Sequence, residues 1–343
     1  MRAADKAELR SLLDRLDALQ GSLDIPGATA RAVGRLRPPA SGRQAALQSV
    51  LDQLNRIEAG VLGQAGVLGQ GATVRAARRL NRGSALLATS VLLDSAMEHY
   101  RGSFKNRAMF TPLVVSALML AISAHGTTDR EPSIHRARQA VSVSAAMTGV
   151  LGTGFHLWNV LKRPGRLVWQ NLFYGAPVGA PMAILLSGLL GTVAEQVRDN
   201  PGSGRARLFG LPAGRAMAAL CGIGLLGTAG EAGLLHFRGA FQNPAMFAPV
   251  TLPPVAGGLL LTDALGPRLV GRWLTRVSLW LTAVMGGAGV LFHAWGVHRA
   301  MGGWRNWSQN AVDGPPLPAP PSFTGLALAG LAAIGLLEEH PDA

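Results

Sequence analysis

The sequence predicts an all-α integral membrane protein, with a soluble helical N-terminal region followed by eight transmembrane helices in two tandem parallel four-helix repeats. Three observations support this fold class. Only 15% of the 343 residues are charged, and the mean hydropathy is +0.25, a composition typical of membrane proteins. Eight apolar segments, each close to the length that crosses a bilayer, follow residue 83. A motif beside the first segment returns 137 residues later.

Residues 1–82 are predicted to form a cytoplasmic helical region and linker. Leucines recur on one helical stripe of residues 4–20, with charges opposite, and a second such pattern runs through residues 47–57. These helices either pack on each other as a hairpin or form a docking arm for a partner subunit. Charges recur through the first segment, so no signal peptide is predicted and membrane insertion begins at an internal segment.

The eight apolar segments divide equally between the two copies of the repeat, residues 83–198 and 199–343. They cover residues 84–100, 108–126, 140–161, 175–197, 213–237, 245–265, 273–297 and 322–340. An even number of spans in each copy means that both copies enter the membrane in the same direction, which predicts a parallel repeat.

Basic residues predict the orientation of the helices. With the N-terminus inside, the inner flanks carry fourteen Lys and Arg residues and the outer loops carry nine, so both termini are predicted to be cytoplasmic. Most of the net charge of +13 lies beside apolar segments, where arginines contact lipid headgroups, and this distribution argues against nucleic-acid binding. The excess of arginine over lysine favours a GC-rich bacterial genome, hence the bacterial inner membrane.

The repeated motif contains histidines at fixed positions. Residues 99–112 read HYRGSFKNRAMFTP and residues 236–249 read HFRGAFQNPAMFAP, with nine of fourteen positions identical. The same offset aligns the sequence FHLW of residues 155–158 with FHAW of residues 292–295. His99, His156, His236 and His293 are therefore the histidines that the repeat preserves, with 57 residues between the partners of each copy. All four are predicted near the outer ends of the first and third helices.

These four histidines are the candidate cofactor and metal ligands. Two from different helices of one bundle can supply the axial nitrogens of a b-type haem, and two such pairs predict two haems near the outer face. A quinone or proton-transfer site is the other candidate role, with Trp158 and Trp295 beside the histidines. Alternatively, the histidines bond across helices and the tryptophans belong to an interfacial aromatic belt. The lone Cys221 excludes a disulfide framework, a thiolate metal site and a covalent c-type haem.

Two membrane-embedded acids are candidate proton carriers. Asp94 and Arg101 are seven residues apart, as are Glu231 and Arg238, so each acid shares a helical stripe with the arginine two turns further out. We expect this set either to take up protons or to neutralise buried polar groups. A two-His-one-carboxylate metal site is disfavoured, because the five residues between each acid and the next histidine turn a helix by about 140°.

The helix plan and one short stretch of the sequence resemble a known family of membrane proteins. The plan of four plus four parallel helices is similar to that of quinol-interacting membrane subunits of the polysulfide-reductase type. Residues 155–169, which contain FHL, RPGR and a final tryptophan, also resemble those proteins. The second copy departs from the pattern, since no RPGR follows His293. The resemblance implies interaction with a quinol in the membrane.

Three functions follow from the sequence. The first is an electron-transfer or quinone-interacting subunit of a bacterial redox complex, with a b haem or a quinone as cofactor and a redox subunit as partner. The second is a proton-coupled transporter or channel-like protein that uses Asp94 and Glu231. The third is a cofactor-free membrane anchor for partner subunits. The sequence contains no nucleotide-binding glycine loop, nucleophile motif or zincin helix, and whether the protein is an enzyme stays open.

Overall fold

The computed structural model describes residues 49–50, 52–53, 72–128, 134–175, 177–199, 207–208, 210–265 and 272–339. The chain divides into two compact units, Met1–Gln70 and Gly71–Ala343. The described residues of the first unit, 49–50 and 52–53, are helical, and the rest of the pattern expected through residues 47–57 lies outside the described residues. The expected helix at residues 4–20 lies outside the described residues.

Helices account for almost all of the described second unit. They are α1 (Ala72–Arg101), α2 (Thr111–Thr128), α3 (His135–Leu161), α4 (Trp169–Tyr174), α5 (Gly179–Asp199), α6 (Ala213–Arg238), α7 (Ala248–Leu265), α8 (Trp273–Arg299), α9 (Trp307–Asp313) and α10 (Pro321–Glu339). Short 3-10 turns cover Arg107–Phe110, Pro244–Phe247 and Gly303–Asn306. A two-residue antiparallel hairpin, β1 (Arg207–Leu208) and β2 (Leu211–Pro212), precedes α6.

In the part of the chain that the structure describes, seven helices are long and apolar enough to cross a membrane. They lie within Arg107–Thr128, His135–Leu161, Gly179–Arg198, Ala213–Arg238, Pro244–Leu265, Trp273–Arg299 and Pro321–Glu338. A multi-pass, all-α membrane protein in contact with lipid is therefore what the structure supports. Helix α1 is not in this set. It begins at Ala72, before the expected start at residue 84, and it carries arginines in its first turns and two acids near its end. The eighth span stays a prediction.

The long helices have two kinds of environment. We call α1, α2, α3 and α5 the first half, and α6, α7, α8 and α10 the second half. Within the candidate spans, 78% of α10 and 61% of α5 are buried by protein, against 17% of α2. Helix α10 packs against α1, α6 and α8, whereas α3 and α8 expose large apolar side chains. The last helix of each half is thus central, and the outer helices present the lipid-facing surface.

A close approach of α1 and α10 joins the two halves. A Cβ atom added to Gly83 would lie 2.6 Å from the Gly325 carbonyl oxygen, and one added to Gly325 would lie 2.8 Å from the Gly83 carbonyl oxygen. Only glycine fits at both positions, so this pair allows the two backbones to touch. The repeat offsets place Leu220 and Leu186 at the equivalent positions of α6 and α5, which pack far less closely.

Candidate functional site

The four repeated histidines lie near the ends of α1, α3, α6 and α8, which we call the histidine end of the molecule. Each bonds to the backbone of a segment that follows its helix. Nδ1 of His99 lies 2.6 Å from the Met109 carbonyl oxygen, and Nδ1 of His236 lies 2.8 Å from the Met246 carbonyl oxygen. Both bonds tie the loop after a first helix back onto the end of that helix.

The histidines of α3 and α8 make the same type of bond across a longer loop. Nδ1 of His293 lies 2.7 Å from the Pro316 carbonyl oxygen, and Nδ1 of His156 contacts the Pro177 carbonyl oxygen. Because a carbonyl oxygen can only accept, all four Nδ1 atoms carry the hydrogen. In the neutral form of such a ring Nε2 is unprotonated, and in all four histidines Nε2 has no hydrogen-bond partner among the described residues.

The loop after His99 is held by its own side chains. The backbone turns at Ser103 and Phe104, where φ is positive, and the Asn106 side chain accepts a hydrogen bond of 2.9 Å from the Ala108 amide at the start of the 3-10 turn. Phe104 stacks on Phe110 with ring centroids 4.5 Å apart. The same turn, cap and stack recur 137 residues later at Ala240, Phe241, Asn243, Ala245 and Phe247. The two motif copies therefore have the same local structure.

The repeated histidines approach each other in pairs. His156 is close enough to His99 for their charges to interact, and His293 is in the same relation to His236. All four side chains are partly buried. The two histidines of each copy therefore interact electrostatically, and their joint role as ligands stays a prediction.

The two acids lie near each other across the boundary between the halves. Asp94 of α1 interacts electrostatically with Glu98 and Glu231. One carboxylate oxygen of Glu231 accepts a hydrogen bond of 3.2 Å from the backbone amide of Gly179. Gly179 begins α5, so the carboxylate occupies the positive end of that helix. A Cβ atom at Gly179 would overlap the carboxylate, so a larger residue at this position would displace the Glu231 side chain.

The arginines of the motif have partners other than the acids seven residues before them. Arg101 forms an ion pair of 2.6 Å with Glu98 and a longer one of 3.9 Å with Asp313 of α9. The Arg238 guanidinium lies over the Tyr174 ring, 5.0 Å from its centroid. Asp94 interacts electrostatically with Arg101, but the predicted acid–arginine pairs are not direct contacts.

Trp158 and Trp295 lie on the surface of the protein. Their exposed fractions are 64% and 59%. The Trp295 ring packs against the ring of His298, with centroids 5.3 Å apart. Exposure of both rings near a helix end favours the interfacial-belt interpretation of the two tryptophans over a place beside a cofactor.

The positions of these side chains can be compared with the metal and haem ligands that the sequence predicts. Among the described residues, no group of three or more His, Cys, Asp or Glu side chains is placed to hold a metal ion, so the two-His-one-carboxylate site gains no support. Haem needs only two histidines. A ring whose Nδ1 donates to a carbonyl while Nε2 stays free has the geometry that metal-ligating histidines adopt, and the four repeated histidines fit this requirement.

A cleft at the histidine end separates α1 from α9. It has a volume of about 690 Å³ and is lined by Tyr100, Arg101, Ser103, Phe104, Val312 and Asp313. At the corresponding place between α6 and α4, Phe173 stacks on Phe237 at 5.8 Å and Tyr174 lies over Arg238. The motif of α1 therefore has Val312 and Asp313 of α9 beside it, where the motif of α6 has two aromatic rings of α4.

A second polar cluster, at the end of the molecule opposite the histidines, is not anticipated by the repeat. A carboxylate oxygen of Glu195 lies 2.9 Å from Arg138 Nη2 and 2.5 Å from His135 Nδ1. Nη1 of Arg138 lies 3.1 Å from Nδ1 of His125. Arg138 and Glu195 are almost completely buried, with side-chain exposures of 1% and 3%.

Selecting residues by internal repetition hides this cluster, because His125, His135 and Glu195 have no counterparts in the second copy. A different signal in the sequence points to it. Glu195 is an acid inside an apolar segment, and ionisable residues within membrane spans usually have a functional or pairing role. Pairing with Arg138, in the first turn of α3, follows from the packing of α3 against α5.

Comparisons of this chain with protein-family models, with curated proteins and with solved structures gave no match.

Proposed function

We propose that the protein is an integral membrane electron-transfer subunit that interacts with a quinol at the histidine end. The observation that supports this function best is that the four repeated histidines all make the same type of hydrogen bond. Each holds Nδ1–H against a backbone carbonyl, which orients the ring and leaves Nε2 as a base or a metal ligand.

The chemistry of quinol oxidation fits this arrangement. A quinol loses two protons and two electrons when it becomes a quinone, and its hydroxyl groups donate hydrogen bonds to an acceptor such as Nε2. Each histidine pair offers two such acceptors, and Asp94 and Glu231 lie on the same helices, five residues before His99 and His236, as the next proton carriers. The electrons pass to a partner redox subunit, or to a b haem that would be held by the Nε2 atoms of the histidine pair not bonded to quinol and would supply one-electron chemistry.

The proposed architecture has eight spans in two tandem parallel four-helix repeats. Two observations support this architecture. The two motif copies have the same local structure, and their histidines make the same type of bond to a backbone carbonyl. The fourteen-to-nine bias of basic residues assigns the histidine end to the outer face and the termini to the cytoplasm. A bacterial inner membrane is the proposed location.

The test uses substitutions that separate the two ring nitrogens. Asparagine places an amide N–H near the position of Nδ1, so His99→Asn and His156→Asn keep the bond to the carbonyl and remove Nε2. We expect both variants to fold and to lose quinol oxidation by the purified protein, measured with a soluble electron acceptor, at least tenfold. The same activity in both variants as in the unmodified protein would contradict the proposal.

A visible spectrum and iron analysis of the purified protein decide the haem version. A Soret band that collapses in His99→Asn supports axial ligation by Nε2. A colourless, iron-free preparation that still oxidises quinol would leave the quinone site and remove the haem. A colourless preparation without activity that co-purifies with a soluble redox subunit would select the anchor function instead.

A proton-coupled transporter is the second candidate, and the position of the two acids favours it. Asp94 and Glu231 come from different halves and are close enough to interact, as expected if they share protons on a path between the halves. Solute uptake into vesicles driven by a proton gradient, lost in Asp94→Asn and in Glu231→Gln, would establish this function in place of the first.

A further inference from the structure

The interior of the first half contains three hydroxyl groups that contact one another. Ser84 Oγ lies 3.0 Å from both Ser123 Oγ and Ser187 Oγ, and all three residues are fully buried. Ser84 Oγ donates to the Ser187 carbonyl oxygen, and Ser187 Oγ donates to the Ser84 carbonyl oxygen, each at 2.9 Å. The hydrogen between the Ser84 and Ser123 hydroxyls is then supplied by Ser123. We call these residues the serine triad.

Polar groups continue from the serine triad to the cluster around Glu195. Ser187, Gly191 and Glu195 recur every four residues on α5, so they lie on one stripe. Ser142 of α3 and the terminal methyl of Met119 of α2 both pack against this stripe at Gly191. Ser142 Oγ and one oxygen of Glu195 are buried without a hydrogen-bond partner in the described part of the chain. Buried polar atoms of this type normally bond to water.

An apolar cluster, which we call the plug, begins one helical turn from the serine triad and from Ser142, toward the histidine end. It consists of Ala88, Val91, Met119, Ala145 and Ile184, all buried in one cluster. The end of the Met119 side chain also lies at Gly191, beside Ser142. Helix α1 passes through this plug between Ser84 and Asp94, ten residues apart, a rise of about 15 Å. The polar groups therefore reach from Glu195 to the serine triad, and Asp94 lies on the far side of the plug.

The second half has apolar residues where the first half has this polar series. The offset of 137 pairs Ser84, Ser123 and Ser142 with Cys221, Leu260 and Leu279, and the offset of 139 in the last helix pairs Ser187 and Glu195 with Leu326 and Ile334. The packing supports this alignment, since Gly191 contacts Ser142 and Gly330 contacts Leu279. The fold itself does not require the buried hydroxyls, because the second half packs without them.

We propose that the first half conducts protons between Glu195 and Asp94, through Ser142 and the serine triad, with the apolar plug as the barrier. Hydroxyl groups both donate and accept, so a proton that enters at Glu195 can be relayed by the serines and by water between them. An apolar constriction blocks transfer while it is dry and permits it when water enters. The proton that leaves at Asp94 balances the one taken up, and no redox partner or quinol is needed.

The test measures proton flux into vesicles that contain the full-length protein, driven by a potassium diffusion potential and read with a trapped pH dye. Met119→Ser replaces the largest side chain of the plug with a hydroxyl, and we expect it to raise the flux at least tenfold over the unmodified protein. Ala256→Ser is the matched control, because Ala256 occupies the equivalent buried position of the second half, and we expect no increase.

Second substitutions then test the path. Adding Ser142→Ala or Glu195→Gln to Met119→Ser should return the flux to the level of the unmodified protein. If Met119→Ser does not fold, Ile184→Ala thins the same plug and serves in its place. Flux in the plug variants equal to that of empty vesicles, an equal rise in Ala256→Ser, or a rise insensitive to Ser142 and Glu195 would each overturn the proposal. No quinol is present in this assay, so its outcome is independent of the proposed electron-transfer function.

Discussion

The two halves of the membrane unit are alike at the histidine end and different in their interiors. At the histidine end, the same turn, asparagine cap, phenylalanine stack and histidine bond occur in both halves. In the interior, the first half buries the serine triad and an ion-paired glutamate, whereas the second half buries leucines, an isoleucine and Cys221 at the equivalent positions.

This difference shows that the loops and the buried helix faces depend on their side chains in different ways. A loop that contains backbone turns with positive φ depends on particular side chains to hold it, so its sequence is kept in both copies. A buried helix face needs only matched volumes, and it can exchange hydroxyls for apolar groups when its neighbours change as well. The residues that recur in both copies hold the loops in their conformation. The buried polar residues that do not recur are what distinguishes the first half from the second.

The largest expected effect comes from the buried ion pair. Arg138→Met leaves Glu195 buried without its main charge partner, and we expect a loss of about 3–5 kcal/mol in the free energy of unfolding. The equivalent position of the second half is Thr275, whose hydroxyl donates a bond of 2.7 Å to Asp263, and Thr275→Val should cost only about 1 kcal/mol. Denaturation in detergent, followed by circular dichroism, measures both.

The double variant Arg138→Met with Glu195→Met controls for the charge itself. Replacing both partners by apolar side chains removes the uncompensated charge, so much of the lost stability should return. Equal losses in the single and double variants would show that packing, not charge, makes the two interiors different.

The glycine contact between α1 and α10 has the next largest expected effect. Gly83→Val places a side chain where a Cβ atom already lies 2.6 Å from the Gly325 carbonyl oxygen, and overpacking of this type costs about 1–3 kcal/mol. Gly227 is the control, because nothing lies within 4 Å of a Cβ atom added there. Thermal unfolding should show Gly227→Ala to be as stable as the unmodified protein. A similar loss in both variants would mean that the contact between the halves is loose.

Much of the fold could be predicted from the sequence, since apolar length and the repeat define the helices, and seven of the expected spans are candidate spans in the structure. The repeat also identifies His99 and His156 as candidate partners, and their joint role stays a prediction. The short helices α4 and α9 were not predicted, because Trp169 and Trp307 begin segments too short and too aromatic for a helical period to be read.

The partners of the candidate site residues depend on packing between elements distant in sequence. Glu231 bonds to the start of α5, 52 residues earlier, and spacing along one helix carries no information about that contact. The same limit applies to Arg238, whose partner Tyr174 lies in the other half. The periodicity of a helix identifies which residues share a face. Which other element that face contacts depends on tertiary packing.

The hydroxyl bonds of the serine triad have a smaller expected effect on stability. Ser84→Ala removes the central hydroxyl, and hydrogen bonds between membrane helices average about 0.6 kcal/mol, with a maximum near 1.7 kcal/mol. We expect a loss in that range. Cys221→Ala tests the equivalent position of the second half, where a thiol is a weak donor, and the loss there should reflect only its small volume. A larger effect in Cys221→Ala would contradict the conclusion that hydrogen bonds between helices at this position stabilise the first half and not the second.

The smallest effect on stability is expected at the cleft between α1 and α9. Asp313 and Arg101 are exposed and 3.9 Å apart, and a surface pair of this kind contributes at most about 1 kcal/mol, so Asp313→Tyr should unfold close to the unmodified protein. Its effect on quinol oxidation should be larger, because the tyrosine places a ring in the cleft, as Tyr174 places one beside the motif of α6. If the cleft admits the quinol headgroup, KM rises severalfold while kcat is kept. Tyr174→Asp, which removes the ring beside the motif of α6, is the reciprocal variant. An unchanged KM in both would contradict entry of quinol through this cleft, and the different side chains beside the two motifs would then reflect packing alone.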